Sequence, residues 1–331
     1  MAIVFDAHSD ILTDIHPRRL LGEREILEKY WIPKMRKGKI DARVVAVYNN
    51  SQYLPELALR RALDLIATLY EEIEESPSSV LCKTYADIRR AKEEGKVGLI
   101  IGMEGAEPLG SDIQLLRIFF NLGLRVLGLT HALRNYLADG ASFPAKTRGQ
   151  EGGLTDIGLN FLEQAQAMGI LIDVSHLNDT GFWDVIKFTK TAIIASHSNC
   201  RVLCNHPRNL SDDQIKAIAD TGGVVGVNAC RSFVEFGDLE HLLNHIDHLV
   251  KITSIKHVGL GLDFFEYFIK YLNEAERSRL PIENYKTISG LSDDEDFPKI
   301  AKELLRRGYS TSDIELIMGE NFLRVFKEIL K

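Results

Sequence analysis

The sequence predicts one α/β domain, a (β/α)8 or TIM barrel, spanning residues 1–331. Short runs rich in Val, Ile and Leu recur along the chain, and each is followed by a loop and a longer stretch with helical periodicity. Eight such runs can be counted, as this barrel requires. The alternative, a doubly wound sheet, would have a glycine-rich phosphate loop after its first strand, where this chain has Asp-Ala-His-Ser-Asp.

The eight predicted strands are nearly continuous apolar runs, which is typical of parallel strands covered by helices on both faces. In chain order they are Ile3–Ala7, Arg43–Tyr48, Val97–Met103, Arg125–Thr130, Ile170–Val174, Ala192–Ala195, Gly223–Val227 and His257–Leu262.

Seven helices are predicted between these strands, at Leu57–Glu74, Tyr85–Glu94, Asp112–Leu122, Asp156–Met168, Asp179–Phe188, Asp212–Asp220 and Leu239–Ile252. Thr84, Ser111 and Ser211 precede three of them and are suited to capping a helix start. Glycines follow four helix ends, where a left-handed backbone is favoured: Gly95, Gly123, Gly169 and Gly222.

Residues 264–297 form the least regular segment and precede the C-terminal helices. Four aromatic residues there favour a lid over the barrel mouth: Phe265, Tyr267, Phe268 and Tyr271. The segment also contains the acidic run Asp293–Asp296, and the alternative interpretation is a surface excursion before the last helices. Both interpretations stay open.

Composition and charge disfavour two classes of partner, nucleic acids and membranes. The net charge is −7 and the pI is about 5.8, with no block of Lys or Arg, so nucleic acid is not an expected partner. No apolar run approaches the length of a membrane span, and the N-terminus lacks the pattern of a secretion signal. We therefore expect a cytoplasmic protein with a small-molecule or peptide partner. A homodimer stays open.

Candidate functional residues lie where the predicted strands end, and the active sites of such barrels form at the C-terminal ends of the strands. They are His8 and Asp10 after the first strand, Glu104 after the third, His131 after the fourth, His176 after the fifth, His197 after the sixth, Asn228 after the seventh and Asp263 after the eighth. The chain has only ten histidines, so this placement favours a common site.

The pattern predicts a centre for two metal ions. His8 and Asp10 are two residues apart on an extended segment and can bind one ion together. His176 and His197 supply neutral imidazoles for a second ion, as Zn²⁺ prefers. Glu104 follows a buried strand and could bridge the two. Each residue alone also has an ordinary interpretation, such as a capping Asp, a core histidine or a salt bridge.

Four other residues are candidates for substrate chemistry. Asp263 could serve as a general base, or only support its neighbours. His131 is predicted to contact the substrate carbonyl oxygen and Asn228 to contact the substrate. Arg208 could bind a substrate carboxylate, although for this residue alone a surface salt bridge is the simpler interpretation.

Taken together, these segments resemble the membrane dipeptidase (renal dipeptidase) family of zinc metallopeptidases, within the wider amidohydrolase-like barrels. The resemblance covers nearly the whole chain. The matching motifs, each weak alone, are Asp6–Asp10, Gly102–Gly105, Leu129–His131, Gly153–Gly158, Asp173–His176, Ser196–Ser198, Pro207–Asn209, Gly223–Asn228 and Gly261–Asp263.

The resemblance implies a dipeptidase that tolerates a D-residue at the C-terminal position. It also implies two zinc ions, with the five predicted ligands in the arrangement above, Glu104 and a hydroxide bridging the ions, and that hydroxide attacking the peptide carbonyl. By resemblance, His131 would stabilise the tetrahedral intermediate, Arg208 would bind the dipeptide carboxylate and Asp263 would transfer protons.

The chain departs from the family pattern at three places, all near the expected substrate pocket. The pattern Asp-Phe-Asp-Gly is replaced by Asp263–Glu266, a glycine pair by Gly105-Ala106, and an aromatic residue after Asn228 by Ala229-Cys230. Two alternatives therefore stay open. One is a related barrel hydrolase acting on a lactone, cyclic amide or phosphoester, and the other is a metal-binding protein that has lost catalysis.

Overall fold

The computed structural model describes residues 2–141, 151–235, 237–271, 274 and 286–330. Within these residues a parallel sheet of nine strands forms the centre of the molecule. The strands are β1 (Phe5–Ser9), β2 (Ala42–Tyr48), β3 (Ser79–Leu81), β4 (Val97–Glu104), β5 (Leu124–Gly128), β6 (Leu171–Asp173), β7 (Ile194–Ala195), β8 (Val224–Val227) and β9 (Val258–Leu260).

Eight of these strands follow one another around the barrel in the order β1-β2-β4-β5-β6-β7-β8-β9. β9 returns beside β1, where the backbone N–H of Leu262 donates to Oδ1 of Asp6 over 3.4 Å. The predicted (β/α)8 barrel is confirmed.

The predicted strands are all present, with shifted ends. β1 continues to Ser9, so His8 lies within the strand, and Glu104 is the last residue of β4. The short strand β3 was not predicted. It pairs with the first three residues of β4, and its three residues give too short a pattern to recognise.

The described α-helices are α1 (Leu12–Leu20), α2 (Ile32–Lys37), α3 (Ala58–Glu74), α4 (Tyr85–Glu93), α5 (Ile113–Asn121), α6 (Asp156–Ala167), α7 (Asp179–Phe188), α8 (Asp212–Asp220), α9 (Leu239–Ile252), α10 (Glu266–Ile269), α11 (Phe297–Arg306), α12 (Thr311–Glu315) and α13 (Asn321–Ile329). Single π-helical turns lie at Leu27–Trp31 and Leu316–Glu320. The 3-10 turns are Ser51–Tyr53, Glu107–Leu109, Arg231–Phe233, Ile255–His257 and Asp294–Asp296.

The seven predicted helices correspond to α3 through α9, within one residue at most of their ends. Thr84 and Ser211 form capping boxes, as expected. At α5 the cap is Asp112 rather than Ser111, because the Asp112 carboxylate accepts a hydrogen bond from the N–H of Gln114. The four glycines have φ values between 68° and 110°.

Two apolar clusters pack around the strands and leave the C-terminal end of the barrel to polar side chains. The larger cluster packs the outward-facing strand residues against the surrounding helices. The smaller cluster includes Phe5 at the start of β1, whose ring lies 5.8 Å from Phe322 and 5.0 Å from Phe326 on α13. α13 therefore closes the N-terminal end of the barrel, and polar side chains collect at the C-terminal end.

Candidate metal centre

Four histidine side chains surround the carboxylate of Glu104. Its Oε1 lies 2.9 Å from Nε2 of His176, 3.6 Å from Nε2 of His197 and 3.7 Å from Nε2 of His8. Nε2 of His131 lies 3.9 Å from the same oxygen. The structure therefore brings together side chains from the ends of β1, β4, β5, β6 and β7.

Two more carboxylates lie on the other side of His8. Nε2 of His8 is 4.0 Å from Oδ2 of Asp10 and 3.8 Å from Oδ1 of Asp263. Among the described residues, three overlapping sets have ligand atoms within 4.8 Å of one another: His8, Glu104 and His197; Glu104, His131 and His176; and His8, Asp10 and Asp263. His131 and Asp263 thus lie among the possible metal donors, in the common site that the sequence predicted, although they were assigned to substrate chemistry.

An irregularity in β1 directs His8 into this site. Asp6 pairs with Arg43 and Ser9 with Val45, so β1 has one more residue than β2 between these two pairs. Such a bulge changes which side of the sheet a side chain faces. The Asp6 carboxylate accepts a hydrogen bond from Nε of Arg43, while Nε2 of His8, two residues later, lies beside Glu104.

Two site residues adopt backbone conformations that are uncommon for residues other than glycine. His176 has a φ of 70° and Asp263 a φ of 55°. Both follow the end of a strand and turn a side chain toward the barrel axis. Such conformations cost about 1–3 kcal/mol each and concentrate at functional sites, where the surrounding structure maintains them.

The three carboxylates of the site are held in conditions that favour protonation. Burial raises the pKa of Asp10 from 3.8 to about 7. Burial, followed by repulsion from Asp10 and Asp263, raises the pKa of Glu104 well above its usual value. Burial and Asp10 do the same to the pKa of Asp263. The cluster therefore has more negative charge than its own surroundings stabilise.

The histidines do not supply the missing positive charge. Burial lowers the pKa of His8 and of His131 to about 3, and the pKa values of His176 and His197 are also well below 6.5. Neutral imidazoles and carboxylates together are the donors that Zn²⁺ prefers.

Two buried atoms support this fit. Among the described residues, Nε2 of His8 and Oδ1 of Asp10 have no hydrogen-bond partner. Buried polar atoms are rarely left in this state without a ligand or water. Divalent cations would satisfy both atoms and the excess of negative charge.

Arg208 lies buried beside this centre and does not form the surface salt bridge that was the simpler interpretation of the sequence. Its residue exposure is 3%. Nη2 donates to the carbonyl oxygen of His197 over 3.0 Å and Nη1 to Oγ of Ser198 over 3.4 Å. Nε has no partner among the described residues. The guanidinium keeps donor capacity for an anionic ligand.

Asn228 is fully buried, and its side chain is used within the protein. Nδ2 donates to Oδ2 of Asp263 over 2.8 Å, and Oδ1 accepts from the N–H of Cys230 over 2.5 Å. The observed role of Asn228 is to orient Asp263. Its expected contact with substrate stays a prediction.

A second buried polar cluster, Asp6, Arg43 and Asp294, was not predicted. Arg43 is 0% exposed, and its Nε donates to Asp6 over 2.9 Å. Its two terminal nitrogens donate to the two carboxylate oxygens of Asp294, Nη1 over 2.8 Å. We call these three residues the Arg43 cluster. Within the acidic run of the irregular segment, Asp294 is therefore buried, with an exposure of 2%.

The described part of the irregular segment packs against Trp31 and against Tyr48 at the rim of the barrel. Tyr267 of α10 packs on Trp31, with ring centroids 4.9 Å apart, and burial and the charge of Asp10 raise its pKa. Phe268 lies 6.2 Å from Tyr48, whose ring is 4.8 Å from that of His131. Residues 272–273 and 275–285 of the predicted excursion lie outside the described residues.

Tyr48 was missed as a site residue, although it ends the second predicted strand at the same level as Glu104. The signal was its position at the rim. A tyrosine there is easily interpreted as the last apolar residue of the strand.

Comparison with known proteins identifies the family. The family model described as membrane dipeptidase, peptidase family M19, matches residues 1–285 and 284–331. The chain belongs to the membrane dipeptidase family. The predicted family is confirmed, and the chain is a metal-dependent dipeptidase and hence a hydrolase.

Two solved structures of this kind match the full length. One is a metallopeptidase from Rhodobacter sphaeroides bound to a phosphinate mimic of the dipeptide L-Ala-D-Ala. It is 26% identical, with a TM-score of 0.87 over 100% of both chains. The other, described as the dipeptidase AC of family M19, is 26% identical, with a TM-score of 0.86 over 99% of both chains.

A protein of Klebsiella pneumoniae, described as an uncharacterized protein in the pqqA 5' region, is also similar to this dipeptidase. It is 33% identical over 258 residues, which is 75% of this chain and 88% of that protein.

Among the described residues, no helix combines the length and the apolar character that crossing a bilayer requires.

Proposed function

We propose that this dipeptidase binds two zinc ions that share Glu104, with His8 and Asp10 as further ligands of one ion and His176 and His197 as ligands of the other. The observation that carries the proposal is the convergence of four neutral imidazoles on one buried carboxylate. Imidazole nitrogens and carboxylate oxygens are the donor set of catalytic zinc sites.

A free dipeptide fits the charges next to this centre. Arg208 lies beside His197, and its buried Nε has no partner among the described residues; a guanidinium binds carboxylates well. The C-terminal carboxylate of a dipeptide lies one residue from the scissile bond, which suits a cation close to the metal ligands. The mimic bound by the Rhodobacter relative supports acceptance of a D-residue at the C-terminal position.

Protein side chains would carry out proton transfer and would stabilise the charge on the carbonyl oxygen. Two bound divalent ions would supply a water of lowered pKa and would polarise the scissile carbonyl. Asp263 is suited to accept a proton from that water and deliver it to the leaving amine, since its pKa is raised by burial and Asn228 fixes its orientation. His131, whose side chain is 30% exposed, is suited to hydrogen-bond the carbonyl oxygen as negative charge develops there.

The test is a measurement of metal content together with hydrolysis of L-Xaa-L-Xaa and L-Xaa-D-Xaa dipeptides, with and without chelator. We expect two zinc equivalents per chain and chelator-sensitive cleavage of both series. Metal-free protein without chelator-sensitive turnover would defeat the proposal. Turnover confined to lactones, cyclic amides or phosphoesters would show that the substrate belongs to one of these classes rather than to the dipeptides. Metal binding without turnover would support a protein that has lost catalysis.

The role of Arg208 is tested separately with Arg208→Met, which keeps most of the side-chain volume. Loss of a buried charged partner costs about 2–5 kcal/mol, so we expect kcat/KM for free dipeptides to fall at least about thirtyfold. A dipeptide whose C-terminus is amidated has no carboxylate to lose and should be affected little. Equal losses on both substrates would exclude a carboxylate contact.

A further inference from the structure

The hydrogen bonds behind His197 form a chain of three side chains that the sequence motifs did not assign. Oγ of Ser196 lies 2.7 Å from Nδ1 of His197, and the same hydroxyl donates to Oδ2 of Asp173. All three residues are at most 6% exposed.

The direction of this chain follows from counting hydrogens. Two backbone N–H groups donate to Oδ1 of Asp173, from Ser175 over 3.0 Å and from Ser196 over 2.9 Å, and hydrogen bonds of this kind favour a carboxylate. An ionised carboxylate only accepts, so the single hydroxyl hydrogen of Ser196 is directed to Oδ2. The hydroxyl oxygen can then only accept from His197, and Nδ1 must carry the proton.

The other serine nearby does not offer an equal partner. Oγ of Ser175 lies 3.4 Å from Oγ of Ser196, at the outer limit for a hydroxyl pair, and already accepts the backbone N–H of His197 over 3.1 Å. With Nδ1 protonated, the lone pair of His197 is on Nε2, which lies 2.9 Å from Nε2 of His176 and 3.6 Å from Oε1 of Glu104.

We propose that Asp173 and Ser196 are positioning residues that fix His197 in the tautomer whose Nε2 lone pair faces the metal centre. This inference rests on the proposed function for His197 as a ligand and adds the two residues that prepare it. Support of this kind behind a metal-binding histidine sets ring orientation and basicity, and its loss typically lowers metal affinity about tenfold to a hundredfold.

The decisive variant is Asp173→Asn. Its amide can donate to the hydroxyl of Ser196, which would then direct its hydrogen to Nδ1 of His197 and move the ring proton to Nε2. We expect ¹⁵N chemical shifts of metal-free protein with labelled histidine to report Nδ1–H for His197 in the wild type and Nε2–H in the variant. Zinc affinity, measured by competition with a chromophoric chelator, should fall about tenfold to a hundredfold.

Ser196→Ala gives a second test, since it removes the hydroxyl between the two ends of the chain and should lower zinc affinity by a similar factor. Ser79→Ala is the matched control, because Ser79 is also buried and its Oγ has no partner among the described residues. Circular dichroism and thermal unfolding verify that each variant folds.

The outcomes separate this inference from the proposed function. Wild-type protein that binds no zinc would defeat the proposed function, while the tautomer measurement would still decide the inference. Two zinc ions in the wild type, with unchanged affinity and tautomer in Asp173→Asn, or unchanged affinity in a folded Ser196→Ala, would overturn the inference alone.

Discussion

The Arg43 cluster and the metal centre both bury acidic side chains, and they differ in what surrounds those acids. In the Arg43 cluster one guanidinium donates to two carboxylates, Asp6 and Asp294. In the metal centre three carboxylates face neutral imidazoles, and Arg208 forms no ion pair within 4.0 Å among the described residues. The first cluster pairs its carboxylates directly with a cation, whereas the carboxylates of the second have no such ion pair with Arg or Lys among the described residues.

The difference indicates how to distinguish a structural from a functional cluster of buried charge. One guanidinium cannot neutralise two carboxylates fully, and the pKa of Asp6 is accordingly raised to about 7 by burial and by Asp294, against the effect of Arg43. The folded state tolerates the free-energy cost of this incomplete neutralisation. In the metal centre the uncompensated charge is larger and lies at the barrel mouth, where a ligand can reach it.

The largest expected effect is loss of activity in Glu104→Gln. The amide removes the negative charge on which the histidines converge, so both zinc stoichiometry and dipeptide turnover should fall. The loss should exceed the roughly hundredfold effect of residues that only support metal ligands. Metal analysis and a steady-state assay measure it. Glu94→Gln, at the exposed end of α4, is the control, and a fully metallated, active Glu104→Gln would refute the bridging role.

The next effect is on stability and comes from Arg43→Met. Removing Arg43 leaves two buried carboxylates without their cation, and breaking such a group costs about 3–5 kcal/mol. Urea unfolding of the metal-free protein measures the free energy of unfolding. Arg60→Met removes an exposed arginine that pairs with Asp64 and should change little. Similar results for the two variants would mean that the Arg43 cluster contributes no more than a surface pair.

Asp10→Asn in the metal centre is expected to raise the free energy of unfolding, whereas Arg43→Met lowers it. Without zinc, this variant should be more stable than the wild type by about 1–2 kcal/mol, because a buried carboxylate with no cation beside it is removed. The gain should disappear when zinc is added, since the variant has lost a ligand. A loss of stability in the metal-free state would contradict the comparison between the two clusters.

The smallest expected effect is the pH dependence of metal-free protein. The pKa of Asp10 is about 7 in the folded chain and near 3.8 when exposed, so the folded state binds more protons between these values. The stability of metal-free protein should therefore fall as the pH rises from about 4 to 7. Zinc replaces the proton, so the rise in Tm on adding zinc should be larger at pH 8 than at pH 6. Asp10→Asn should lose only the part of this pH dependence that Asp10 contributes, because the pKa values of Glu104 and Asp263 are also raised.

The sequence predicted the barrel and the set of polar residues at its rim because these depend on local patterns. Apolar runs predict strands, and parallel strands bring whatever follows them to one end of the sheet. Glu104 and His197, 93 positions apart, could therefore be assigned to one site without coordinates. The observed contact between them follows from this rule.

Other features depend on geometry that no local pattern records. Residues two apart on a regular strand face the same side of the sheet. The bulge in β1 changes this, so Asp6 and His8 face different groups of side chains. Arg43 resembled the start of an apolar strand, and its partner Asp294 lies in an acidic run that favours a surface location. The orientation of Asn228 toward Asp263 depends on how two neighbouring strands end.

The Arg43 cluster also bears on how the chain is synthesised. Asp6 and Arg43 leave the ribosome early, and Asp294 follows Arg43 by 251 residues. Until Asp294 arrives, the early strands hold a cation that is costly to bury without both carboxylates. Asp263 also comes late, so a nascent chain lacks both its inner ion pair and a complete set of metal donors. We infer that chains truncated before residue 294 cannot complete this ion pair and should be substrates for chaperones and proteases.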